Sequence, residues 1–463
     1  GSVSQCVLPL LTEHLVDAKQ ITIFDQRDNR ARVQSTLSQG ATYVQDQITR
    51  ENLDSTLSQY LSEGDFLLDL AWNIDANTIL QWCHDKGVLY LNTSIEQWDP
   101  YEGGAGKSPI DRTLYYRHMR MREMKAKWNT PGATAIVEHG ANPGLVSHLV
   151  KKALVDIATR ALKEGKASKE VESALANDSY NLLAHSLGVK VIHIAERDTQ
   201  VTDKPKQLNE FVNTWSVEGF YEEGIAPAEL GWGTHEKLLP PNAYEHTSGP
   251  RNQIAIAQPG ATTWVRSWVP HCEITGMVVR HGEAFTLSDH LTVWNGDKAL
   301  YRPTVHYAYC PSNEAIVSMR ELEMRQWDLT PNQRIMNDEI TDGEDRLGVL
   351  LMGHPYKSWW TGSLLSIHDS RKLIPNQSAT TVQVASAVYA AVAWAMANPN
   401  KGLLVPDDMP WREVLPYAEK YWGGFHSDAA DWTPLQTRND LFAGWNNRKF
   451  DTSDPWQFTN FLA

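Results

Sequence analysis

The stretch 66-FLLDLAWNIDANTILQWCHDKGVLYLNTS-94 decides the fold. It opens on an apolar run, FLLDLAW (66–72), passes through the helix-like ANTILQWCHDKG, and closes on a second apolar run, VLYLNTS (88–94). Strand, helix and strand in that order predict a parallel sheet with crossover helices. ITIFD (21–25) upstream and TAIVEHG (134–140) downstream extend the alternation.

Further along, Asn-Pro-Gly at 142–144 precedes apolar residues at 145, 146, 149, 150, 153, 154, 157 and 158. That spacing predicts a helix, with Asn142 as its cap and Pro143 in its first turn. A domain boundary is expected here. Residues 160–180, charged and small, read as a surface excursion. Strand-like runs return between 190 and 320: VKVIHIAE, IAIAQPG, TTWVRSW, TGMVVRHG and LTVWNG. They predict a second α/β domain with a mixed or antiparallel sheet. Ser378 is placed to cap a helix over 379–397. Its apolar run ASAVYAAVAWAM (385–396) is too short to span a bilayer and reads as a core helix. The tail, rich in Trp, Pro and Gly, has little regular pattern.

At 463 residues the chain suits two or three domains. Four cysteines without CxxC spacing point away from a zinc site and a disulfide framework, and toward a cytoplasmic setting. A net charge of −14 argues against nucleic acid and suits a cationic ligand, as it does plain solubility. No membrane association is expected. GTHEKLL (233–239) lacks the second histidine of a zincin helix, and no GxSxG, P-loop or EF-hand loop is present.

Two regions carry chemistry. The chain opens GSVSQCVLPLL, where Gly1 would stand as the second glycine of a GxGxxG turn and Ser4 as the third. The first glycine and the strand before it are not in this sequence. Asp25 ends ITIFD at about the spacing expected of an acid that binds ribose hydroxyls, which favours NAD over NADP. The alternative is a structural turn with an ordinary strand-end Asp.

The second region runs from Gln207 to Glu236. It holds Glu210, Glu218, Glu222, Glu223, Glu229 and Glu236, and no lysine or arginine. If 213–224 is helical, Glu218 and Glu222 share a face with Trp215, with Glu223 to one flank. Carboxylates beside a tryptophan face suit an ammonium group. The competing view is a solvated acidic face with a core tryptophan. Glu196 and His281 each follow an apolar run, so both are expected at strand ends. There His281 could shuttle protons, or serve as a hydrogen-bonded structural histidine.

The runs HGANPGLVSHLVKKAL, HIAERDTQ, NTWSVEGFYEEG, PAELGWGTHEK, YRPTVHYAY and DTSDPWQF together resemble the bacterial homospermidine synthases, from Gly1 to the C-terminus. The resemblance implies a saccharopine-dehydrogenase-like α/β architecture. Its parts would be a Rossmann NAD-binding domain (1–143), a substrate-binding and dimerisation domain with a mixed sheet (144–375), and a C-terminal part packing back on both (376–463). It implies bound NAD, a homodimer, and putrescine and other polyamines as ligands. Transferred by position, it assigns Trp215 to a cation–π cradle and Glu96, Glu196 and Glu223 to the diamine ammonium groups. It places Asn142 and His281 near the reacting carbon. Trp215, His281, Asn142 and Glu223 form the implied catalytic set, and Gly1, Ser2, Val3, Asp25, Thr93 and Asn142 the implied cofactor set. Helical spacing alone would choose Glu222 over Glu223. Asn73 stands where the resemblance leads one to expect an acid. Net oxidoreductases of the same fold, which bind carboxylates, and a non-catalytic polyamine binder are the competing readings.

Overall fold

The computed structural model describes all residues except 101, 103–105, 439–441, 443, 444 and 446–449. The βαβ stretch forms as expected. Phe66–Asp69 and Leu89–Asn92 are neighbouring parallel strands, with the helix Ala76–Lys86 between them in sequence. Asp75 begins that helix by accepting the Thr78 amide at 2.8 Å. Ile79, Leu80 and Cys83 then lie buried in a cluster with Val88 and Tyr90. Ala135–Ile136 and Leu403–Leu404 complete an all-parallel sheet of four strands. Thr22–Asp25 and Thr42–Gln45 form a separate parallel pair.

The chain divides into two compact units that do not follow chain order. The first comprises Gly1–Gly106, Arg117–Leu145 and His368–Trp422; the second comprises Lys107–Tyr116, Val146–Ile367 and Gly423–Ala463. In the first, Ser378 caps the helix Ala379–Ala397 by accepting the Thr381 amide at 3.1 Å. This helix is long and apolar enough to cross a membrane by composition alone, yet 89% of the qualifying window is buried within the protein. It is a core helix, as the apolar run suggested.

The second unit is built on one mixed sheet of ten strands. Val191–Asp198 and Thr304–Cys310 run parallel at its centre. Glu344–Met352 and Ser358–Ser366 continue it antiparallel on one side, and Pro227–Gly231 and Gln253–Pro259 on the other. Behind this sheet, Val191, Leu230, Ile254, Val265 and Trp360 share one buried cluster with Phe458 and Phe461 of the tail. The tail is thus core-forming despite its irregular pattern, because its aromatic residues supply the burial.

Two local expectations fail. Asn142 does not cap the following helix and Pro143 is not in its first turn, because that helix spans Leu145–Lys163. Residues 140–144 instead close a tight loop: the Gly140 amide donates to the Pro143 carbonyl at 2.7 Å, and the Leu145 amide to the Gly140 carbonyl at 2.9 Å. Gly144 has φ +134°, and a Cβ there would fall 2.1 Å from the Gly140 oxygen, so only glycine closes the loop. The helix itself is confirmed, with Leu145, Val146, Leu149, Val150, Ala153, Leu154, Ile157 and Ala158 all fully buried. The stretch 160–180 is not a mere excursion either. Lys169–Ala176 is a helix that buries Val171 and Ala174, and its charged residues occupy the outer face.

Candidate active site

In the second unit, the two central parallel strands set Glu196 opposite Tyr309. Alternation along a strand puts Glu196 and Asp198 on one face, with Tyr307 and Tyr309 beside them. The Tyr307 hydroxyl donates a short hydrogen bond to the Glu196 carboxylate. Tyr307 and Tyr309 stack at 5.1 Å, 12° apart. Burial, with Glu196 nearby, raises both phenols well above their ordinary range, so they act as neutral hydroxyls.

Trp215 approaches this wall from the neighbouring segment. The helix there spans Val217–Ile225, and Ser216 caps it by accepting the Gly219 amide at 3.0 Å. Trp215 therefore precedes the helix instead of sharing a face with Glu218 and Glu222, because Ser216 takes the cap position. Its indole lies across the first turn: a Cβ on Gly219 would come within 3.0 Å of the ring. Its Nε1–H donates to the Tyr309 hydroxyl at 2.9 Å.

His281 is buried, with its ring 4.4 Å from that of Tyr307. Its Nε2 lies 3.2 Å from Glu223, and its Nδ1 lies 3.5 Å from Glu283. Burial works against a charged ring, but the two carboxylates outweigh it and hold the imidazole's affinity for protons well above the ordinary value. Each ring nitrogen thus faces a carboxylate, so a protonated ring has an acceptor for both of its N–H groups.

Of the six glutamates of 207–236, two are paired with arginines and two more are held by neutral donors, so the cluster is less open than local sequence suggests. Glu210 pairs with Arg334 at 2.8 Å. Glu222 is buried in an ion pair with Arg280. Glu229 accepts the Leu114 amide at 2.9 Å and the Gln253 side chain at 2.9 Å. Glu236 accepts from Thr304 and from the Phe458 amide. Glu223, partly exposed, faces His281. Glu222 is thus engaged by a buried guanidinium, whereas Glu223 stays partly exposed.

The remaining expected residues lie in the first unit. Gly1 is the N-cap of the helix Ser2–His14, and a Cβ on it would meet nothing within 4 Å. The amides of a first helical turn lack intrahelical partners and suit a pyrophosphate. Asp25 ends its strand, its carboxylate held by the Arg27 amide and the Asn29 side chain, both at 2.9 Å. A carboxylate keeps further lone pairs for ribose hydroxyls. The chemistry of Gly1, Ser2, Val3 and Asp25 therefore fits a dinucleotide. Thr93 lies beside the 140–144 loop, its methyl 3.6 Å from where a Cβ on Gly140 would stand. Asn142 is in that loop. Glu96 is half-buried and accepts from Ser94 at 2.7 Å. Asn73, at φ +60°, occupies left-handed backbone that asparagine tolerates well.

Sequence reasoning missed Tyr307, Tyr309, Arg280 and Glu283. The strand alternation of YRPTVHYAY carries a signal for the tyrosines. Nothing local reveals Arg280, which lies 58 positions from its partner.

Comparisons with known proteins speak to the family of the chain. The family model described as the saccharopine dehydrogenase NADP binding domain matches residues 1–136, and the saccharopine dehydrogenase C-terminal domain matches residues 140–423. A homospermidine synthase of Mesorhizobium japonicum is 41% identical over all of this chain and 95% of its own length. One from Blastochloris viridis is 41% identical over all of this chain and 96% of its own. The crystal structure of a homospermidine synthase from Legionella pneumophila, in complex with NAD, superposes with a TM-score of 0.88 at 36% identity, over 100% of this chain and 96% of that one.

Proposed function

The chain belongs to the homospermidine synthase family, and from that premise we propose that it moves a 4-aminobutyl group from putrescine or spermidine onto putrescine, releasing ammonia or diaminopropane. The observation that carries the reading is the aromatic and carboxylate wall of Glu196, Trp215 and Glu223, whose neighbouring guanidinium, Arg280, is occupied by Glu222. A dehydrogenase acting on amino-acid carboxylates needs an available arginine at the site. Here Arg280 is paired with Glu222, and Glu223 stays partly exposed.

Both ends of putrescine are cationic near neutral pH. Glu196 and Glu223 hold the ammonium groups, and the Trp215 face stabilises cationic iminium species as they form. When bound, NAD supplies a hydride acceptor whose reduction is reversed within the cycle, so the net reaction is alkyl transfer. The reacting nitrogen must first lose a proton. Glu223 or His281, 3.2 Å apart, takes that proton. Glu96 is assigned a further ammonium contact and Asn142 a polar contact near the nicotinamide. Gly1, Ser2, Val3, Asp25 and Thr93 complete the dinucleotide set. A homodimer and a cytoplasmic setting belong to the same proposal.

The test is to incubate the protein with putrescine and catalytic NAD, following homospermidine by mass spectrometry and NADH by absorbance. Homospermidine far in excess of NAD, without lasting NADH, is expected. Steady NADH without homospermidine would replace the transferase by a dehydrogenase. In the same assay Trp215→Ala should lower turnover far more than NAD binding.

A further inference from the structure

A cation–π contact depends on the orientation of the ring as well as on its presence. The side-chain torsion that turns an indole is broad and weakly restrained by itself. Trp215 stands on a non-helical residue at a helix entrance and is only partly buried, so burial alone does not fix its plane. Three contacts do. Gly219 leaves room for the ring over the first helical turn. Phe220 meets the indole at 5.9 Å and meets Tyr309 edge-on at 5.5 Å. The polar edge of the indole is tied by its N–H to the Tyr309 hydroxyl at 2.9 Å. Tyr309 is itself immobile: it is 1% exposed, lies on a central strand and stacks on Tyr307.

We infer that Tyr309 is a positioning residue for the aminobutyl transfer. Its hydroxyl sets the plane of the Trp215 indole so that the ring face is presented to the substrate cation, with Tyr307 backing it and orienting Glu196 in the same way. This rests on the reading of Trp215 as the cation-binding face. In this role Tyr309 acts through the indole N–H.

That dependence makes a double-mutant cycle decisive. Tyr309→Phe keeps the stack on Tyr307 and removes one acceptor. Losing a hydrogen bond of ordinary net strength should lower kcat about tenfold, with KM for putrescine moving less. Trp215→Phe keeps an aromatic face but has no N–H. Adding Tyr309→Phe to Trp215→Phe should therefore cost less than about twofold further. Losses that multiply, or a Tyr309→Phe variant at full kcat, would overturn the inference and leave the hydroxyl a purely structural partner. A misfolded Tyr309→Phe variant would show the same multiplied loss in both backgrounds, with a lowered melting temperature to identify its origin. Trp215→Ala separates the two levels. If it retains full turnover, the cation-binding reading fails and takes the positioning role with it. If it is crippled while Tyr309→Phe is silent, only the positioning role fails.

Discussion

Glu222 and Glu223 are adjacent, chemically identical, and predicted to fail in opposite ways when neutralised. Glu222 is 5% exposed and paired with Arg280, whose side chain is 7% exposed. Glu222→Gln leaves that guanidinium buried without its counter-charge, a situation that costs roughly 3–5 kcal/mol. For a unit of this size, each kcal/mol moves the melting temperature by about 2–4 °C, so the expected fall is roughly 6–20 °C. Arg280 also donates to the Arg112 carbonyl at 3.2 Å, which places the loss toward the lower end. Glu223 has a side chain 24% exposed, in contact with His281. Glu223→Gln should cost less stability than Glu222→Gln, since Glu223 is partly solvated and Glu283 still faces the buried His281 ring. Its effect should fall on substrate: removing one charge-assisted contact to an ammonium raises KM for putrescine about tenfold or more. The assay is paired urea and thermal unfolding with steady-state kinetics, on both variants at one pH. Glu222→Gln with wild-type stability and a raised KM would refute the division of labour, as would Glu223→Gln with a large loss of stability and an unchanged KM.

Three other outcomes are expected. Burial pushes the Glu236 carboxyl up to about 7 from 4.5, against the opposing pull of Thr304 and the Phe458 amide. The folded chain then holds a proton that the unfolded chain releases; the contribution is complete below pH 4.5 and is lost as pH rises through 7, an effect on the order of 3 kcal/mol. Glu236→Gln should flatten that slope in thermal scans from pH 5 to 8, and an unchanged slope would remove Glu236 as its source. Leu149→Ala, at a fully buried position, should cost about 2–5 kcal/mol in urea unfolding. Gly144→Ala cannot close the 140–144 loop without shifting the backbone, so it should lose bound NAD, measured by absorbance after denaturation, if Thr93 and Asn142 serve the cofactor as proposed.

What was legible in the sequence is what is local. The helix Leu145–Lys163 repeats its apolar face from 145 to 158, and every residue of that predicted face is buried. Ser378 announces its helix because a cap acts within three residues. The site was legible only in part. Glu196, Trp215, Glu223 and His281 were singled out, and they do gather in one unit. Their partners come from far along the chain: Tyr309 is 94 positions from Trp215, and the amide held by Glu229 is 115 positions away. Charge counted within a window therefore overstated the acidity of the centre, since Arg280 and Arg334 arrive from distant segments. The start of the Val217–Ile225 helix was misplaced for a smaller reason: Ser216 competes for the cap position and moves Trp215 off the helical face.

The segment composition of the two units has a bearing on how the protein is made. The first unit draws its last portion from His368–Trp422, including the strand Leu403–Leu404, which pairs with Ala135–Ile136, and the helix Ala379–Ala397. A ribosome that has delivered residue 145 must add nearly all of the second unit before that strand exists. At about 5–20 residues per second, this leaves a parallel sheet with an unfilled edge for roughly 13–52 seconds. During that interval the nascent chain offers open backbone groups and the apolar surface that the late helix will cover. Translation speed and chaperone supply should therefore govern the yield of active protein more strongly than for a chain of equal length whose units are finished one after the other.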